Sequence, residues 1–235
     1  MKKYLYGLLF CSLVSMNAGG VNAATPFVNF DAVYEVSAAG LQVGEAHIQL
    51  RVDGDTFVYS KQTSSRGIAS LLRNENVSEV SRGTLSGNRV RIQSYNYTQK
   101  RGSERREDNI EFMGDGSVRG NYKGKPYELS VRDDVIDRAA VELLLVRDAR
   151  PELNNALAYS IVERGTLKDI QFRHEGSETV KVPAGEFACE RYSTVREAAK
   201  RSTSFCLSPS LGNKLVHAVH DEKGMRIEMG LKSLE

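Results

Sequence analysis

The sequence predicts a mainly β protein: one large, strongly curved antiparallel sheet, barrel or half-barrel, of about a dozen strands with one helix packed in or across it. Three features lead there. Apolar side chains recur at every second position through most of the chain from Phe30 to Leu231. Turn residues such as Asp53-Gly54, Gly114-Asp115-Gly116 and Pro183-Ala184-Gly185 separate these runs. A single segment changes to helical spacing.

Taken in order, Phe30, Ala32, Tyr34 and Val36 share one face, with Asp31 and Glu35 on the other. Ala46, Ile48, Leu50 and Val52 do the same before Asp53-Gly54, a strong hairpin turn, and Phe57 and Tyr59 follow on the return strand. Val90 and Ile92 alternate with Arg89, Arg91 and Gln93. The phase then slips to Tyr95 and Tyr97, which predicts a bulge near Ser94. Ile110/Phe112, Val118/Gly120/Tyr122, Tyr127/Leu129/Val131, Leu157/Tyr159/Ile161 and Ile170/Phe172 continue the pattern. Segments 187–195 and 202–208 read as strands, and the chain closes with 215–219 and Met225/Ile227/Met229/Leu231. Between them, Val135, Ile136, Ala139, Ala140, Leu143, Leu144 and Val146 predict a helix over 134–147. Asp133 or Asp134 would cap its start, and Pro151 follows its end.

A sheet this wide cannot stay flat without exposing an apolar face and open edges, so it must close or curl around a filler. An outer-membrane barrel would also alternate, but here aromatics do not recur at both strand ends and the chain ends Leu234-Glu235. With 40% hydrophobic and 26% charged residues in 235, the chain can bury a substantial core. No linker, repeat or low-complexity tract divides residues 24–235, which read as a single domain.

Residues 1–23 read as a secretory signal peptide. Lys2 and Lys3 precede the apolar run 4–14, and Val21 and Ala23 set small residues before a cleavage at Ala24. Cys11 raises the alternative of a lipoprotein signal, but Phe10 precedes it where a small residue is required and it sits inside the apolar run, so lipidation is not expected. The predicted location is therefore the periplasm. The run is too short to cross a bilayer, and no later stretch approaches the roughly 20 apolar residues that crossing needs. The chain carries 32 Lys+Arg against 30 Asp+Glu, and removing Lys2 and Lys3 leaves the two balanced. A neutral exported domain has no global field to collect nucleic acid.

Cys189 and Cys206 remain after cleavage, an even pair in an oxidising compartment. A hairpin folded symmetrically between Glu197 and Ala198 would set the two directly opposite each other, within disulfide reach. A redox-active pair would want the close C-x-x-C spacing, which is absent.

Several segments resemble one family of bacterial envelope proteins, domain of unknown function number 3108. They are Tyr34-Glu35-Val36 with Gly40-Leu41 and Gly44-Glu45-Ala46, then Asp134 and the helix after it. Val182-Pro183-Ala184-Gly185-Glu186-Phe187, Phe205-Cys206-Leu207-Ser208-Pro209 and Met229-Gly230-Leu231-Lys232-Ser233 complete the series. The resemblance implies an exported, β-rich, non-enzymatic protein and supplies no catalytic residues. Cys206 stands where an aromatic is expected, which implies that the disulfide replaces that ring's packing.

Little else points to chemistry. His217-x-x-His220 would point to opposite sides of a strand, and His47 lies on a polar face, so no metal site is expected. No nucleophile elbow or phosphate loop is present. The mixed charges of 101–108 read as a solvated turn. Tyr95, Tyr97, Tyr122 and Tyr127 are the candidate ligand-binding surface, against the simpler reading of sheet packing. The expected function is binding of a lipid or other amphiphile of the cell envelope in the curved-sheet groove, without cofactor or catalysis. The alternative is an envelope structural protein that acts by contact with a protein partner. An enzyme using paired carboxylates is the third reading.

Overall fold

The computed structural model describes residues 27–67, 74–153, 155–195 and 201–235. The signal peptide read from the sequence and the segment 196–200 lie outside the described residues. The strands are β1 (Phe30–Ala38), β2 (Leu41–Asp53), β3 (Thr56–Ser65), β4 (Glu75–Ser86), β5 (Arg89–Arg101), β6 (Glu104–Phe112), β7 (Ser117–Tyr122) and β8 (Lys125–Ser130). After the short β9 (Ile136–Asp137) comes the helix α1 (Ala140–Asp148). Then follow β10 (Leu157–Glu163), β11 (Thr166–Val182), β12 (Gly185–Thr194), β13 (Arg201–Ser208), β14 (Lys214–Glu222) and β15 (Met225–Leu234).

Among the described residues, all fifteen strands form one sheet in the order β8-β7-β6-β5-β4-β3-β2-β1-β15-β14-β13-β12-β11-β10-β9. Every pairing is antiparallel except β9 with β10. Strands adjacent in the sheet are adjacent in the chain, save that the first and last, β1 and β15, also pair. The break in chain order falls between β8 and β9, at the two ends of the sheet.

Alternation explains the inner wall. Ala32, Tyr34, Val36, Ala46, Ile48, Leu50, Phe57 and Tyr59 are all buried, on the face their period assigns them. The expected bulge is present, because Arg82 pairs with Ser94 while Gly83 pairs with Ile92, leaving Gln93 extra. The β11–β12 hairpin folds back over the outer face, where the Ala184 N–H donates to the Leu231 carbonyl at 2.9 Å. Gly230 permits that approach, since a Cβ there would meet Val182 and Pro183 at 3.3 Å. Covered on both sides, β13 and β14 bury consecutive residues such as Phe205-Cys206-Leu207 and Leu215-Val216.

Three expectations are corrected. The helix begins at Ala140, not 134, because Ile136–Asp137 first pairs with β10 as a strand. Its cap is neither Asp133 nor Asp134 but Asp137, whose Oδ1 accepts the Ala139 and Ala140 N–H groups at 2.8 and 2.9 Å. Cys189 and Cys206 are disulfide-bonded with Cα atoms 5.4 Å apart, yet Arg191, not Cys189, faces Cys206. The register sits two residues from the symmetric one, and the bridge joins diagonal neighbours on one face.

Candidate functional site

The sheet curls around α1, and among the described residues two spaces open beside the helix. The first, about 220 Å³, is apolar. Its wall comes from Phe30 and Tyr34 of β1, Leu50 of β2, Leu143 and Val146 of α1, and Leu215 of β14, with Lys214 among the lining. It lies above the ~150 Å³ of an apolar cavity known to take up benzene and below the ~300 Å³ where drug-sized sites begin. The second, about 730 Å³, has a floor of Val141, Ile161, Phe172 and Phe205 and a charged rim that includes Lys168, Asp169, Arg201 and Glu228. Glu142 and Phe205 line both. Glu142 accepts from Lys61 Nζ at 2.5 Å and from the Tyr59 hydroxyl at 3.1 Å.

The buried charge gathers where the two ends of the sheet meet, and Glu79, Arg138 and Glu163 there also line the second space. Among the described residues five polar side chains are buried: Glu79, Ser81, Asp108 and Asp137 lie along this seam, and Ser208 does not. Glu79 on β4 accepts from Arg138 at 2.8 Å and from the Tyr95 hydroxyl at 2.7 Å. Burial works against its charge, but Arg138 and Lys61 outweigh it and hold the carboxyl below its ordinary range. Arg138 also lies 3.5 Å from Glu163 and over the Tyr97 ring. Asp137, fully buried, accepts from Ser81 at 2.5 Å besides capping α1. Burial pushes its carboxyl up to about 6, against the three hydrogen bonds it accepts. Asp108 on β6 takes the Tyr127 hydroxyl at 2.9 Å and the Arg164 N–H, beyond β10, at 2.7 Å. The Tyr127 ring lies between Gly120 and Gly165, where a Cβ would strike it at 2.2 and 3.1 Å.

The four tyrosines offered by the sequence thus belong to the seam side of the molecule. Tyr95 and Tyr97 are buried against Glu79 and Arg138, and Tyr127 binds Asp108. Tyr122 carries the Lys123 and Arg164 cations on its ring. None of the four lines either interior space. Tyr34, Tyr59 and Lys214, which do, were not singled out. Their apolar neighbours read simply as core, and only the isolated Lys214 at the head of an apolar run could have marked the place.

The described residues contain one cluster of three ligand types for a metal, Glu178, Cys189 and Cys206, but the disulfide leaves neither sulfur as a thiolate. Glu178 is ion-paired with Arg191. His217 meets Glu228 at 3.2 Å, and His220 meets Thr203 at 2.8 Å. Among the described residues, no helix is long and apolar enough to cross a membrane.

Residues 33–224 match the family described as "Protein of unknown function (DUF3108)". The chain belongs to that family. Among solved structures, this DUF3108 chain is similar to a β-barrel-like protein of domain of unknown function DUF1849 from Brucella abortus. The TM-score is 0.59 at 8% identity, over 88% of this chain and 97% of that one. A structure described as a candidate lipoprotein from Parabacteroides distasonis aligns at TM-score 0.34 and 11% identity, over 88% of this chain and 95% of that one. The first likeness shows a β-barrel-like fold, which is not itself a function. No curated protein sequence matches the chain.

Proposed function

We propose that this protein is an exported, periplasmic binding protein that holds a hydrophobic or amphiphilic molecule of the cell envelope in its apolar chamber, without catalysing a reaction. The observation that carries this reading is the chamber of about 220 Å³ walled by α1 and the inner faces of β1, β2 and β14. Apolar concave space with a few polar groups is what a small ligand needs. Export rests on residues 1–23 as read from the sequence. The alternative, a protein acting by contact alone, calls for an interior filled by its own side chains, and two open spaces favour the ligand instead.

Delipidated full-length protein should bind the neutral fluorophore 1-aminoanthracene. Val146→Trp, which fills the chamber from a half-buried helix position, should weaken binding by about tenfold while the Tm is kept. Equal binding by both proteins, or none by either, would remove the chamber as the site.

A further inference from the structure

Lys214 is the one cation lining the apolar chamber that meets no carboxylate among the described residues. Arg147, the other, is held by Asp148 at 2.5 and 2.7 Å, and the acid in the lining, Glu142, is engaged by Lys61. The Lys214 ammonium has instead the face of Phe30, 5.5 Å from the ring centroid. It is half-buried, and burial lowers its pKa. Withdrawing a cation from water without a counter-ion is costly, and the cost ends when an anion arrives to pair with it.

We infer that Lys214 is the head-group contact of this chamber and that the ligand is a small amphiphile ending in a carboxylate. This rests on the chamber being the binding site. One unpaired lysine matches a single negative charge. A phosphate monoester, close to two charges at neutral pH, would leave its second charge uncompensated in a chamber that already contains Glu142. The aliphatic part then lies against Leu50, Val146 and Leu215.

The experiment is displacement of 1-aminoanthracene from the full chain at pH 7 by octanoate, 1-octanol and octyl phosphate. Octanoate should displace the probe at about ten- to a hundredfold lower concentration than octanol, the range of a charge-assisted hydrogen bond. Octyl phosphate should be weaker than octanoate. Lys214→Met should bring octanoate to within about threefold of octanol without weakening octanol, and Lys214→Arg should restore the preference. Octanoate and octanol displacing equally, octyl phosphate displacing best, or a preference that survives Lys214→Met would each overturn the assignment while leaving the chamber as a site. Failure of the probe to bind at all would overturn both.

Discussion

The β1–β15 junction and the seam between β4–β8 and β9–β10 close one sheet by different chemistry. At the junction a backbone ladder runs from Ala32↔Leu234 to Ala38↔Ile227. Beyond it Asp31 and Glu235 exchange reciprocal N–H to carbonyl bonds, both 2.9 Å. At the seam, among the described residues, the bonds end on side chains. Glu79 takes Arg138, Asp137 takes Ser81, and Asp108 takes the Arg164 N–H. A ladder is nearly indifferent to side-chain identity, whereas three buried carboxylates depend on every partner they have. The seam is therefore where substitution and pH act on this fold.

The largest effect is expected from Arg138→Met. It leaves Glu79, whose side chain is only 7% exposed, without its main counter-charge. Removing one partner of a buried pair costs ~3–5 kcal/mol. Because the Arg138 side chain is 37% exposed, solvent screens part of this, and the lower end applies. The Tm should drop by roughly 6–12 °C. Adding Glu79→Gln should recover most of the loss, since the orphaned charge is then gone. A Tm for Arg138→Met within about 1 °C of wild type would show that charge does not hold the seam.

Asp137 gives the seam a pH dependence of definite sign. Its carboxyl titrates near 6 in the folded chain against an ordinary 3.8, with burial the main cause. The folded state thus binds this proton more tightly than the unfolded one. The contribution is fully present below pH 4 and is lost as pH rises through 6. Asp137→Asn keeps an acceptor for the Ala139 and Ala140 N–H groups and removes the titration. The stability of wild type minus that of the Asn variant should fall by on the order of 2 kcal/mol between pH 4 and pH 7, read from urea unfolding. Parallel curves across that range would refute the shifted carboxyl. Across the junction the sign is reversed, since the Glu45 carboxyl beside Lys232 is held below its ordinary value and its contribution is lost as pH falls.

The two closures also differ in how legible they are. β1 and β2 announce themselves because Tyr34, Val36, Ile48 and Leu50 alternate with polar residues, and the ladder between them follows. The seam strand β4 hides because its inward positions are Glu79, Ser81 and Gly83, while Val80 looks outward. A hydrophobic period cannot find a strand whose buried face is polar, and the sequence reading contains no strand there. Ile136–Asp137 hides differently, since Val135 and Ile136 also fit the helical spacing of the segment that follows. The cysteine bridge was legible because strands with cysteines at matched distances have few ways to pair. Its diagonal register depends on the actual ladder, Glu190↔Leu207 to Ser193↔Ser204, which spacing alone does not fix. The apolar chamber was not legible, because Phe30 and Leu215 look the same in a sequence whether they pack on a neighbour or face a space.

The smallest effect belongs to the junction. Lys232 on β15 reaches across β1 to Glu45 on β2 at 2.7 Å, the exposed counterpart of the Arg138–Glu79 pair. The Lys232 bond is the main reason the Glu45 carboxyl titrates below its ordinary value. Lys232→Met should nevertheless cost only about 0.5 kcal/mol or less, a shift of roughly 1–2 °C in Tm. Glu45 keeps Arg66 at 3.2 Å, water reaches the site, and the Val33↔Ser233 and Tyr34↔Leu231 pairings remain. The residual loss should disappear in high salt, which screens an exposed pair but leaves the ladder intact. A drop as large as that of Arg138→Met would mean that the junction, too, depends on its side chains, and the contrast between the two closures would fail.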